Sequence, residues 1–224
     1  MRHPTIAVCA LAAVALAMAA AGCGGGSGTS TSSEPFQPQA SLKAVGGTAR
    51  TEKPAFVVDV APRPGDPNIR SVAVTLPPVV LVDPTAIRQL CTRKDLKADR
   101  CAGHQRVGFA RVRSPAYPAP LSGPVYAVSG YGALPHLAYV LGGPAEVLLE
   151  GRIVSTHGRI QAGADDIPDA PVTSFELTID GGKGGYLVLS RDLCHGNPTA
   201  DATFRSQEGQ VHEEEIPLTA ECEG

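Results

Sequence analysis

The chain has 224 residues, 19 of them Lys or Arg and 22 Asp or Glu, with no Trp and ten Phe plus Tyr in all. A balance of −3 disfavours nucleic acid, which needs a basic surface for its phosphates. The scarcity of aromatics disfavours a carbohydrate platform, although Tyr126, Tyr131 and Tyr139 offer rings for one.

Taken in chain order, residues 1–22 read MRHPTIAVCALAAVALAMAAAG. One Arg and the free amino terminus precede an apolar and small-residue run that is too short and Ala-rich for a spanning helix. That pattern predicts an export signal, removed from the mature protein. Its end, Ala20-Ala21-Gly22-Cys23, resembles the lipobox of bacterial lipoproteins, with Ala20 where Leu is usual. The resemblance implies lipidation of Cys23 and a new N-terminus there. Two acyl chains at about 0.8 kcal/mol per buried CH₂ give lasting attachment without spanning the bilayer. Losing Arg2 leaves a mature balance of −4. Residues 23–50 then form the lipidated cysteine and a Gly/Ser/Thr/Pro tether, whose composition buries too little apolar surface to order itself. As a random coil of about 5.5 Å × √n it would reach roughly 29 Å. Residues 51–224 suffice for a single domain.

Four cysteines remain after export and lipidation: Cys91, Cys101, Cys194 and Cys222. An even number outside the cytoplasm favours disulfides. Of the three possible pairings, Cys91–Cys101 and Cys194–Cys222 are expected, because each encloses the shorter loop. Neither the C-x₂₋₄-C clusters of zinc sites nor the C-x-x-C of redox pairs is present.

Period-two alternation predicts half-buried strands. AFVVDV places Phe56, Val58 and Val60 on one face; RSVAVTL does so for Val72, Val74 and Leu76. HLAYVL aligns Leu137, Tyr139 and Leu141; AEVLLEGRIVS aligns Val147, Leu149 and Ile153; TSFELTID aligns Phe175, Leu177 and Ile179. PRPGDPN, SGP, GGP, THG and DGGKGG are expected turns, and DGGKGG should join FELTID to YLVLS as a hairpin. Helical signal is confined to PTAIRQL (84–90) and a turn in RKDLKAD between the first cysteines. The expectation is an all-β antiparallel sandwich, immunoglobulin-like or jelly-roll-like, with one short helix near the first cysteine pair.

The order LPPVVLVDPTAIRQLCTRKDLKADRCAGHQRVGFARV, PLSGPVYAV, PHLAYVLGG and PVTSFELTIDGGKGGYLVLSRDLC resembles a domain repeated in secreted and surface proteins of high-GC actinobacteria. The match runs from about Leu76 to Cys222. Val79-Val80 stand where Gly-Leu is common, Asp83 where Asn is usual, and Ala102 where Pro is frequent. The resemblance implies an extracellular β-domain stapled at both cysteine pairs, and it implies no activity.

The remaining candidates for chemistry are few. Asp165, Asp166 and Asp169 could offer oxygen ligands to Ca²⁺, but the EF-hand pattern is missing and Asp beside Pro usually caps local backbone. His104, His136, His157, His195 and His212 show no ligand spacing. Cys194 beside His195 is a poor nucleophile once it is oxidised. AVSGYG around Ser129 lacks the first Gly of G-x-S-x-G, and Lys183 reads as a charge at a hairpin tip. Glu213, Glu214 and Glu215 read as a solvated edge. The sequence therefore predicts a protein with no cofactor, no metal and no catalytic residue. Its expected partners are the membrane, through the lipid, and a protein or ligand of unknown identity. The function expected is a non-catalytic, lipid-anchored cell-surface module. The alternatives are a carrier or sensor holding a hydrophobic ligand between sheets, suggested by the two apolar faces of VYAVSG and GGYLVLS, and an extracellular hydrolase without a motif.

Overall fold

A computed structural model describes residues 35–86, 90–104, 106–129 and 134–222. The signal segment, the lipobox and Cys23 lie outside the described residues. In chain order the strands are β1 (Gln39–Val45), β2 (Ala55–Ala61), β3 (Ile69–Thr75), β4 (Val80–Val82), β5 (Cys91–Thr92), β6 (Arg106–Arg113), β7 (Leu121–Ser129) and β8 (His136–Leu141). There follow β9 (Val147–Thr156), β10 (Arg159–Ala164), β11 (Ser174–Ile179), β12 (Leu187–Leu189), β13 (Thr199–Ser206) and β14 (Val211–Ala220). The short helix α1 (Arg93–Lys97) lies between β5 and β6.

The chain is all-β, but the expected sandwich is a closed barrel. Eleven strands run in the order β7-β6-β11-β2-β1-β14-β13-β3-β10-β9-β8, and β8 returns to β7 through Val125↔Tyr139 to Val128↔His136. The ring is antiparallel except at β1 and β14, which pair in parallel through Leu42↔Leu218. Closure removes the exposed edges that a sandwich keeps. Glu213–Glu215 pair with β13, while the β1 ladder on β14 covers Leu218–Ala220, and Glu213 and Glu215 are exposed.

The predicted alternation holds and decides which side is which. Phe56, Val58 and Val60, with Leu42 and Ala44, Ala202 and Phe204, and Ile216 and Leu218, face one interior cluster. Val125, Leu137, Tyr139, Leu141, Leu177 and Ile153 face a second. The outer wall carries exposed Lys43, Asp59, Arg111, Arg113, Asp201, Arg205, Glu213 and Glu215. A barrel spanning lipid would show an apolar band outside; this one is apolar inside and charged outside, as a barrel in water should be. Among the described residues, no helix is long and apolar enough to cross a membrane.

Eight strands already enclose about as much space as their own side chains fill, so eleven need additional contents. A plug supplies them. β4 pairs with β12 (Val82↔Leu187, Val80↔Leu189), and Val79, Val80, Leu189 and Leu193 are buried in the first interior cluster. Leu189 N donates to Glu52 O, and Thr51 N donates to Leu189 O, which fixes the plug to the loop between β1 and β2. This arrangement overturns the expected DGGKGG hairpin. β11 instead lies between β2 and β6, while Gly182–Gly184 form a single 3₁₀ turn that carries the chain across the barrel end to β12. A Cβ on Gly181 would sit 2.5 Å from Ala55 N, so the crossing strictly needs glycine there.

Three further expectations change. β1 occupies 39–45, inside the stretch to residue 50 that was expected to be tether, so this part of the stretch belongs to the barrel. SGP is not a turn, because Ser122-Gly123-Pro124 lie within β7, where the bare backbone at Gly123 passes close to Val140. PTAIRQL gives only the 3₁₀ turn Pro84–Ala86, with residues 87–89 outside those described. The α-helix is the one inside the staple, where Thr92 Oγ1 accepts from Asp95 N as its N-cap. THG does form its turn: His157 (φ 50°) and Gly158 (φ 75°) have the two positive φ values that a tight two-residue hairpin requires.

Candidate functional site

The barrel has two unlike ends. At one end lie the plug and both cystines: Cys91–Cys101 and Cys194–Cys222, with Cα separations of 5.5 and 5.8 Å. These distances fall in the ordinary disulfide range and fit an oxidising, extracytoplasmic environment. Cys91, Leu96 and Cys101 pack on Tyr126, Val128 and Ala138, forming a small third core on the outer face of the wall. This accounts for the two apolar faces of VYAVSG. One lines the barrel and the other lies under the staple. YLVLS is apolar because it builds the plug.

The other end is the mouth, where the chain enters. Phe36 and Pro38 are buried, and Phe36 N donates to Gln210 Oε1 at 3.2 Å. Gln210 is held by its own N–H, which donates to Ser206 Oγ in the β13–β14 turn. In the loop from β2 to β3, the Asp66 carboxylate accepts from Arg63 N at 2.9 Å and from the Arg63 guanidinium at 3.2 Å. Burial acts to raise the Asp66 pKa, but the hydrogen bonds from Arg63 and Gln37 and the Arg63 charge outweigh it and hold the group below its usual range. Arg63 also donates to Pro35 O and to Gln37 Oε1. The arginine thus locks the entering chain across the mouth.

Beneath this lock, β14 turns two polar side chains inward. Ile216 and Leu218 face the core, so His212 and Glu214, of the same parity, do too. They stand opposite Phe204 and Ala202 on β13. The His212 ring stacks on Phe204 at 6.3 Å and 24°, while Ala202 leaves room beside Glu214. His212 Nε2 lies 3.8 Å from Glu214 Oε2. Both His212 Nε2 and Glu214 Oε1 are buried without a hydrogen-bond partner. Glu214 borders a cavity of about 290 Å³ together with Gln37, Pro38, Gln39, Ala40 and Arg63. A smaller cavity of about 90 Å³ lies at the plugged end beside Asp192, His195 and Asn197.

The candidates named from the sequence are not brought together. Asp165 pairs with Arg152 at 2.5 Å, Asp169 accepts from Asn68 Nδ2 at 2.7 Å, and Asp166 is exposed. Among the described residues, no group of three or more His, Cys, Asp or Glu could hold a metal. Cys194 is disulfide-bonded, and His195 sits 3.6 Å from Asp192 on the surface. His104 approaches Asp95 at 4.0 Å, His157 occupies its turn, and burial lowers the pKa of His136. Ser129 Oγ donates to Cys91 O. Tyr131 lies outside the described residues, and Tyr126 and Tyr139 face opposite sides of the wall. Lys183 is exposed, on the crossing turn rather than a hairpin tip. His212 and Glu214, read from the sequence as a histidine without ligand spacing and as part of a solvated edge, are the pair the structure brings together. The parity of VHEEEIPL, counted back from Ile216, was the available signal.

Comparison with known proteins finds no matching family model, no matching curated protein and no matching solved structure.

Proposed function

We propose that the protein is a lipid-anchored cell-surface β-barrel that serves as a structural or interaction module and not as an enzyme. The observation that carries this reading is the sidedness of the barrel. The chain enters at the mouth through Phe36 and Pro38, whereas the plug and both cystines gather at the opposite end. With Cys23 lipidated, the anchor lies only twelve positions before Pro35, the first described residue. The mouth then faces the membrane, and the stapled end faces outward as the presented surface. A charged outer wall whose sheet closes on itself suits such display, because closure leaves little edge for edge-to-edge association. The interior favours a module over a lipid carrier, since Phe56, Phe204, Leu189, Val79 and Val80 fill it and are almost wholly buried.

Fractionation and labelling of intact cells test this proposal. The chain is expected in the membrane fraction, and a Cys23→Ala variant in the soluble one. An amine-reactive label should reach Lys94 and Lys97, beside the staple, in intact cells. Turnover of hydrolase substrates that a single substitution abolishes would contradict the non-catalytic reading.

A further inference from the structure

We propose that His212 and Glu214 form a two-point chelate, inside the barrel mouth, for a borderline divalent cation of the zinc type. The two side chains are separated by one residue on β14 and point into the barrel together, because the strand period is two. Their nearest polar atoms, Nε2 and Oε2, are 3.8 Å apart. That is too long for a hydrogen bond. It does suit two ligands of one ion: bonds of about 2.1 Å put tetrahedral ligand atoms roughly 3.4 Å apart, and a wider angle near 130° gives roughly 3.8 Å.

The pattern of satisfaction points the same way. His212 Nε2 and Glu214 Oε1 are both buried without a hydrogen-bond partner, and the Glu214 oxygen within ion-pair reach of His212 is Oε2. An imidazole nitrogen and a carboxyl oxygen are both groups that can ligate a cation, and buried polar groups left unmet are costly. A cation bound between the two side chains would draw on both. The site is prepared on each side. Phe204 stacks on the imidazole and fixes its plane, and Ala202 opposite Glu214 leaves space. Arg63 is not a competing charge, because Asp66 takes it up. Imidazole with one carboxylate is a donor set for zinc-type ions, whereas calcium and magnesium prefer oxygen ligands throughout. Further ligands, water or a small anion, would enter from the adjoining cavity of about 290 Å³, which Gln39 also borders.

The test is calorimetric titration of the purified full chain, stripped with a chelator and dialysed, with Zn²⁺ and, in parallel, Ca²⁺. One saturable equivalent of Zn²⁺ and no matching Ca²⁺ isotherm are expected. Glu214→Gln keeps the side-chain shape, and His212→Ala removes the nitrogen. Each should weaken Zn²⁺ binding beyond the roughly 10- to 100-fold that loss of an outer-shell partner costs. Each should also abolish the Zn²⁺-dependent rise in melting temperature. Should His212→Ala not fold, Glu214→Gln decides alone. Absence of saturable Zn²⁺ binding, or binding that Glu214→Gln leaves unchanged, overturns the proposal.

Discussion

Tyr126 and Tyr139 lie on neighbouring strands of one wall and face opposite ways. Tyr126 points outward beneath the Cys91–Cys101 staple, and Tyr139 points inward, edge-on to Phe175 at 6.1 Å. Burial pushes the Tyr139 hydroxyl up to about 12. A single β-sheet layer therefore separates the main interior from a second, smaller core that exists because the staple folds down on it. Replacing both Cys91 and Cys101 by Ala should release that cover. The loop-entropy estimate alone is about 2.5 kcal/mol, or a melting temperature lower by roughly 5–10 °C for a domain of this size. Thermal unfolding checks it; an unchanged midpoint would show that the outer core holds without its cystine.

The two cystines should also differ in access. Cys91 and Cys101 are 0% and 3% exposed, while Cys194 and Cys222 lie at the surface. Thiol–disulfide exchange requires the attacking thiolate to reach a sulfur. Mild reduction followed by alkylation and peptide mapping should label Cys194 and Cys222 first, leaving Cys91–Cys101 intact until the domain unfolds.

Gly123 tests the closure between β7 and β8. A Cβ there would lie 1.9 Å from Val140 O, a backbone atom that cannot swing away. Gly123→Ala should cost about 2 kcal/mol or more through forced backbone movement, read as a lower denaturant midpoint. Gly65, with open space around it and φ +93°, should show strain but no clash when changed to Ala, and so a smaller loss.

Asp83 gives the fold an acid limit. It pairs with Lys53 and accepts from Thr85 N and Oγ1 at 2.8 and 2.7 Å. The Lys53 hydrogen bond, then those from Thr85, lower its pKa from 3.8 to about 2. Because the folded value is the lower one, this contribution is fully present above pH 3.8 and is lost as pH falls from 3.8 to about 2. Asp83→Ala should cost about 1 kcal/mol at pH 7. The difference from the parent should shrink to a small remainder near pH 2 and vanish below it, measured by urea unfolding at pH 7 and at pH 2.

Much of the wall was legible because each strand's alternation is local. Phe56, Val58 and Val60, or Leu137, Tyr139 and Leu141, declare a face without reference to any partner. Closure was not legible, since it depends on β8 returning to β7 and on β1 meeting β14, whose Leu42 and Leu218 are 176 residues apart. The plug was misread for a related reason: β12 follows a glycine-rich turn but pairs with β4, about a hundred residues earlier in the chain. Glu214 was hidden by its neighbours. Glu213 and Glu215 are exposed, and three consecutive glutamates suggest solvent more strongly than parity suggests a core.

The account rests on export, lipid attachment and oxidation of the four later cysteines. Intact mass and non-reducing peptide mapping of the native protein, taken directly from cells, test all three in one measurement. The expected result is an N-terminus at Cys23 bearing a diacylglyceryl group, with peptides linked Cys91 to Cys101 and Cys194 to Cys222. Free thiols at those four positions, or a chain still beginning at Met1, would contradict it.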